Sequence, residues 1–301
     1  MVQRNGKAPI AATGINRSRG RSGRGSEQRA FSIDLALVAT IVVLGSWLYI
    51  PRLGFYSDDW WVMRAFRFAP DQSLTGLISA FFASNPATLV RPVQALYAAL
   101  LYLIFGVNPF GYHLVNGLIL LSGLCFFYAV LRQLSQLRML SLAVVVVYAS
   151  LPHYSTDRFW YAAAQANLSM TLYFFSSYCD LRELRSRGVR ALAWKAGAVL
   201  ALFASTLAYE VFMPLFLFNP VLLAFYRRHL QQRDGIQYSG VRAAVSWILN
   251  PAALGIVVLF KSVYSTRPSG FGLGWWIVED GFWASIILPF VQYGLQLPHI
   301  L

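Results

Sequence analysis

What most constrains this chain is a succession of apolar runs too long and too uncharged to suit a water-soluble domain. They fall at about 33–50, 112–131, 139–152, 166–181, 195–208, 211–226, 243–264 and 282–299. A helix rises about 1.5 Å per residue, so some 20 residues cross a bilayer core. Within lipid every backbone N–H and C=O needs an internal partner, which leaves helices or closed barrels. These runs are continuous rather than alternating, so the expectation is an all-α polytopic membrane protein with about eight transmembrane helices. Composition agrees. Charged residues make up 12% of the chain, against about 25% in soluble domains. Bulk disorder is excluded by the 57% hydrophobic content, and a disulfide-stapled fold by having only Cys125 and Cys179.

A formal charge of +13 and a pI near 10 would ordinarily suggest nucleic acid. Here the basic residues punctuate apolar runs, so they report topology instead. Residues 1–30 are polar and rich in Gly, Ser and Arg, and read as a disordered basic tail. The run from Ile33 is too long for a signal-peptide core and lacks a small-x-small cleavage site, so it reads as an uncleaved anchor. Three later connections are basic: Arg132 and Arg138; Arg182 to Lys195; and Arg227 to Arg242. The run 93–105 has only 13 residues, suiting an interfacial helix better than a span. If it does not cross, the tail and all three basic connections are cytoplasmic. Eighteen of the 25 Lys+Arg then lie inside, and the outer side carries seven basic and seven acidic residues.

The first outer loop then runs from 51 to 111. Within it Leu74, Leu77, Ile78, Phe81 and Phe82 recur at helical spacing, giving an apolar stripe on a helix at the interface. Trp60, Trp61, Phe66 and Phe68 suit the headgroup boundary. The expected organisation is a tail (1–30), a seven-span module (31–264), and an outer loop with an eighth span (265–301).

No nucleotide loop, zinc spacing or nucleophile elbow is present. The chemistry must come from polar residues at the outer helix ends. Asp58-Asp59 lies in Gly54-Phe-Tyr-Ser-Asp-Asp-Trp-Trp61. Two adjacent carboxylates among aromatics cannot both ionise cheaply, so one pKa should be perturbed. The competing reading is that the pair caps the next helix. Arg91-Pro92 opens the 93–105 helix, with Arg91 either snorkelling or meeting a lipid phosphate. His153 and Asp157 lie in the second outer loop, where a histidine such as His153 is more often structural than catalytic and Asp157 can simply neutralise Arg158. Asn167 opens a span, where a polar side chain calls for an explanation. Glu210 sits in a short turn and is either functional or an N-cap. His113 and Asn116 suit interhelical hydrogen bonds better than ligation.

In order and spacing, these pieces resemble the C-type (GT-C) membrane glycosyltransferases, specifically the protein O-mannosyltransferase-like branch with the transmembrane TPR-repeat mannosyltransferases. The residues carrying the likeness span about 33–226. They are the Asp58-Asp59 pair, Arg91-Pro-Val-Gln-Ala-Leu, Phe105-Gly-Val-Asn-Pro-Phe-Gly-Tyr-His-Leu-Val-Asn116, Leu151-Pro-His-Tyr-Ser-Thr-Asp157 and Ala208-Tyr-Glu210. The resemblance implies inverting transfer of a mannose-like or other sugar from a polyprenyl-phosphate donor to a protein or glycan acceptor at the outer face. It implies that an acid of the first-loop pair is the base, Asp58 first and Asp59 second. Arg91, with Arg64 or Arg67, would meet the lipid phosphate. Tyr56, Trp60 and Trp160 would line the sugar or prenyl chain, and His153, Asp157, Gln165, Asn167 and Glu210 would complete the substrate site. Where relatives carry Arg-x-Asp, this chain has Gln165-Ala-Asn167, which weakens the case for donor phosphate or a divalent metal there. Membrane lipid is the expected surrounding partner, with no nucleic acid. The rival readings are a catalytically silent scaffold and a lipid-linked glycan flippase. Arginine outnumbers lysine 22 to 3, a bias of GC-rich genomes that favours a bacterial inner membrane.

Overall fold

The computed structural model describes residues 19–135, 137–151, 158–234 and 240–264. All regular elements among them are helical. By internal contacts Met1–Leu37 forms one unit and Val38–Leu301 another. The described part of the first unit is the beginning of helix α1 (Arg19–Ser46). That helix starts well before Ile33, so residues 19–30 are helical rather than part of a disordered tail. The reason is that extending an existing helix costs far less than nucleating one, so a polar flank can continue an apolar span.

In the second unit three short helices follow: α2 (Asp58–Arg67), α3 (Leu74–Ser84) and α4 (Pro92–Phe105). Then come the long helices α5 (Pro109–Leu134), α6 (Arg138–Ser150), α7 (Ala164–Arg185), α8 (Val189–Ala208), α9 (Met213–Asp234) and α10 (Gly240–Tyr264). Local signals set the boundaries. Gly106 adopts φ +57° to end α4, Asn108 Oδ1 accepts the Phe110 N–H at 3.1 Å, and Pro109 takes the first helical position of α5.

Five helical segments are long and apolar enough to cross a membrane: Gly25–Arg52, Pro109–Leu134, Val189–Ala208, Glu210–Gln232 and Trp247–Tyr264. The chain is a multi-pass helical membrane protein by this measure, with five such helices among the described residues, against the eight expected along the whole chain. The run at 139–152 forms a helix of 13 residues, Arg138–Ser150. The 282–299 run lies outside the described residues. The run at 166–181 lies within α7, a 22-residue helix, whose polarity has a structural cause.

Helix α7 is central, packed against α8, α5 and α9, and its polar groups bond to neighbours. Ser169 Oγ donates to Ser205 O (3.0 Å), Thr171 Oγ1 to Ile119 O (2.8 Å) and Ser176 Oγ to Ala198 O (2.8 Å). A helix shielded from lipid can be polar provided those groups are satisfied. These pairs also fix direction. Ser169–Ser205 and Ser176–Ala198 run antiparallel, whereas Thr171–Ile119 and Phe175–Phe126 run parallel. Tyr173 with Phe216 and Arg185 with Tyr226 make α9 parallel to α7 as well. The C-terminal ends of α5, α7 and α9, carrying Arg132, Arg182, Arg185, Arg227 and Arg228, therefore share one end of the bundle.

At that end Asp180 and Lys195 are buried rather than loop charges. Lys195 Nζ donates to Asp180 Oδ1 (2.9 Å) and Asn250 Oδ1 (2.8 Å), and Asn250 Nδ2 donates to Asp180 Oδ2 (2.6 Å). This closed triangle joins α7, α8 and α10 with no net charge.

Helices α2–α4 form their own core at the opposite end. Phe66 packs on Phe81 and Tyr102 with ring centroids 5.9 and 5.2 Å apart. The α3 stripe faces this cluster, with Leu77 and Phe81 buried and Leu74, Ile78 and Phe82 against it. It therefore packs on its sister helices rather than on lipid. The unpartnered apolar stripe belongs to α4, where Leu96, Leu100, Leu103 and Ile104 are exposed. Of the aromatic cluster, Phe66 is buried and Trp61 packs against the core, while Trp60 and Phe68 are exposed.

Candidate functional site

The segment after α1 is pinned from two sides. His113 Nε2 lies 2.9 Å from Gly54 O. A carbonyl can only accept, so Nε2 carries the proton and donates. Asp59 is fully buried, with Oδ2 accepting the Tyr56 N–H (2.9 Å) and Oδ1 the Ala162 N–H (2.6 Å). One carboxylate thus ties the start of α2 to the segment entering α7. Between these anchors Ser57 is held at φ +41°, a left-handed conformation costing a non-glycine residue of order 1–3 kcal/mol. Such strain persists only where surrounding contacts over-determine it. Here it turns Asp58 outward.

The two acids therefore differ. Burial pushes the Asp59 carboxyl above its ordinary range, against the lowering effect of its backbone donors. The folded chain holds that proton to higher pH than the unfolded chain, so Asp59 makes folding less favourable as pH rises from about 4 through the folded pKa. The expected result is a melting temperature that falls over that window relative to Asp59→Asn, measured across pH in detergent. Asp58 is exposed, and the Ser57 hydroxyl donates to its Oδ1 at 3.3 Å.

Asp58 lines a cavity of about 410 Å³ with Trp61, Arg91, Gln94, Tyr97, Tyr161 and Gln165. Arg91 stands at the N-cap of α4, and Pro92 takes the first helical position. Its guanidinium holds the Glu210 carboxylate in a two-pronged pair, with Nε donating to Oε2 at 3.0 Å, and lies over the Tyr209 ring at 4.7 Å. Lys261 Nζ donates to Glu210 Oε2 (3.2 Å) and Val90 O (2.9 Å). Glu210 is thus no N-cap. It is shared by two cations, one of which, Lys261, is fully buried. Nothing along the chain marks Lys261 as more than an outer basic residue, because its partner lies 51 residues away.

Two atoms in this cavity are unmatched: Gln94 Oε1 and the Tyr97 hydroxyl are buried with no hydrogen-bond partner among the described residues. Burial also pushes the Tyr97 phenol well above its ordinary value, so it is present as an O–H.

Other expected site residues lie elsewhere. Tyr56 and Trp160 line a separate, more apolar groove of about 810 Å³ with Ile41, Tyr49, Leu53 and Arg158. Trp60 is exposed and packs edge-on against Phe55 at 5.6 Å. Arg64 lies in a third hollow between α2 and α3, and Arg67 is exposed. Asn167 does not face the cavity. Its Nδ2 donates to Asn116 Oδ1 (3.0 Å), and Asn116 Nδ2 donates to Arg158 O (3.3 Å). Asn167→Leu should therefore destabilise the protein by about 1–3 kcal/mol by removing the donor to the buried Asn116 Oδ1, leaving ligand affinity of the folded fraction unchanged. Denaturant titration alongside a binding isotherm checks both. His153 and Asp157 lie outside the described residues. Among the described residues no three His, Cys, Asp or Glu side chains gather as metal ligands.

The chain matches no protein-family model, no curated protein and no solved structure.

Proposed function

We propose that the protein is an inverting membrane glycosyltransferase acting on a polyprenyl-phosphate-linked sugar. The observation that carries this is the joint exposure of Asp58, Arg91 and Gln165 to one cavity while Asp59 is consumed by backbone bonds. Asp58 accepts the proton of the acceptor hydroxyl as its oxygen attacks the anomeric carbon from the face opposite the leaving phosphate. The new C–O bond forms, the C–O bond to phosphate breaks, and its electron pair leaves on the phosphate. Arg91, Glu210 and Lys261 together carry one excess positive charge beside the cavity, suited to an anionic leaving group. The apolar groove holding Tyr56 begins two residues from Asp58 and has the character needed for a prenyl chain. The end bearing the arginines is taken as cytoplasmic by the positive-inside rule, which puts the cavity at the outer face and the N-terminus inside. A bacterial inner membrane is the proposed location.

One observation favours the silent-scaffold reading: Arg91 is already engaged by Glu210. Transfer of labelled sugar from a panel of glycosyl-phosphoprenols, assayed on membranes holding wild type or Asp58→Asn, separates the two. Transfer lost in the variant supports the enzyme; absence of transfer by wild type from every donor supports the scaffold.

A further inference from the structure

Buried polar atoms in folded proteins are hydrogen-bonded in the great majority of cases, and an exception calls for a cause. Gln94 Oε1 and the Tyr97 hydroxyl are two exceptions lining the same cavity. They stand three residues apart on α4, so they share a face, and Arg91 lies one turn before Gln94 on that face. The backbone of α4 is regular here, so this polar stripe is not a by-product of a broken helix.

The chemistry of the pair narrows what it can receive. An amide oxygen accepts only, so it needs an O–H or N–H from the ligand, whereas a phenol both donates and accepts. An ionised phosphate offers acceptors alone and cannot satisfy Gln94 Oε1. A prenyl or acyl chain satisfies neither atom. Neighbouring hydroxyls on a sugar ring satisfy both. The rings of Trp61, Phe81 and Tyr161 in the same wall can cover the apolar face of such a ring. At about 410 Å³ the cavity is near the lower end of small-molecule sites, a size for one glycosyl unit beside its phosphate.

We infer that Gln94 and Tyr97 form the sugar-hydroxyl subsite of this cavity and set which glycosyl group is taken, a role that rests on the glycosyl-transfer reading above. Arg91 then answers to the phosphate and the next turn of the same helix to the sugar.

The test compares farnesyl phosphate with its mannosyl, glucosyl and N-acetylglucosaminyl derivatives by calorimetry on the full chain in nanodiscs. Gln94→Leu and Tyr97→Phe should each weaken the tightest glycosyl probe by about three- to tenfold, the value of one neutral hydrogen bond. Sugar-free farnesyl phosphate should bind as in wild type. The unliganded variants should melt no lower than wild type, because each loses an atom that had no partner. Unchanged glycosyl binding, equal weakening of both probe types, or a lowered melting temperature would each overturn the subsite. Those outcomes leave the glycosyl-transfer reading standing. Failure of wild type to bind any probe overturns that reading and the subsite with it.

Discussion

Asp58→Asn should reduce sugar transfer by about 10²–10⁴-fold, the usual contribution of a positioned general base, with thermal unfolding unchanged. The side chain is exposed and receives only a long 3.3 Å bond from Ser57, so little of the fold depends on its charge. An asparagine has the same shape but no basic oxygen, which separates proton acceptance from simple occupancy of the cavity. Asp59→Ala behaves oppositely. It strips acceptors from the Tyr56 and Ala162 N–H groups, so unfolding shifts first and activity falls only as the segment 54–59 loosens. The measurement is initial rate per folded molecule beside a melting curve. Full activity in Asp58→Asn, with loss in a still-folded Asp59→Asn, would transfer the base to Asp59.

Glu210→Gln should destabilise the protein by about 3–5 kcal/mol, because it leaves a buried cation without its counter-charge. The Lys261 side chain is 0% exposed and Arg91 is 26% exposed, so the cost falls chiefly on Lys261. Val90 O still accepts from the ammonium, but a neutral carbonyl does not replace a carboxylate. Replacing the cation as well, in Glu210→Gln with Lys261→Met, should restore most of the loss, since a buried ion pair is often matched by well-packed apolar side chains. Unfolding curves of the four proteins form a double-mutant cycle. Equal stability of Glu210→Gln and wild type, or additive losses without rescue, would show that the two residues do not depend on each other. In the rescued protein Arg91 faces a neutral amide instead of the Glu210 carboxylate, so its affinity for farnesyl phosphate reads how far the Glu210 charge holds that arginine back.

The likeness to membrane glycosyltransferases directed attention to Asp58, Arg91, Gln165 and Glu210, and the first three share a cavity that Glu210 borders through Arg91. Other residues named on the same likeness scattered. Asn167 is polar in a span because it bonds Asn116, and Tyr56 and Trp160 face a different groove. Gln94 and Tyr97 were passed over because, read linearly, they belong to an apolar helix of 13 or 14 residues. The signal was their three-residue spacing after Arg91, visible once α4 begins at Pro92.

By itself the sequence determined that the chain is helical, that it carries membrane-length apolar segments, and where its basic connections fall. Those follow from local properties: hydropathy summed over a run, glycine and proline at helix ends, and the cost of charge in lipid. It did not determine the status of α7, whose polarity is acceptable only because neighbouring helices shield it and accept its hydroxyl protons. Nor could it separate Asp58 from Asp59. They are adjacent and chemically identical, and a backbone N–H from Ala162, 103 residues along the chain, joins that of Tyr56 in binding one and leaves the other facing the cavity. Pairings of that range depend on how helices pack, and no pattern along the chain encodes them.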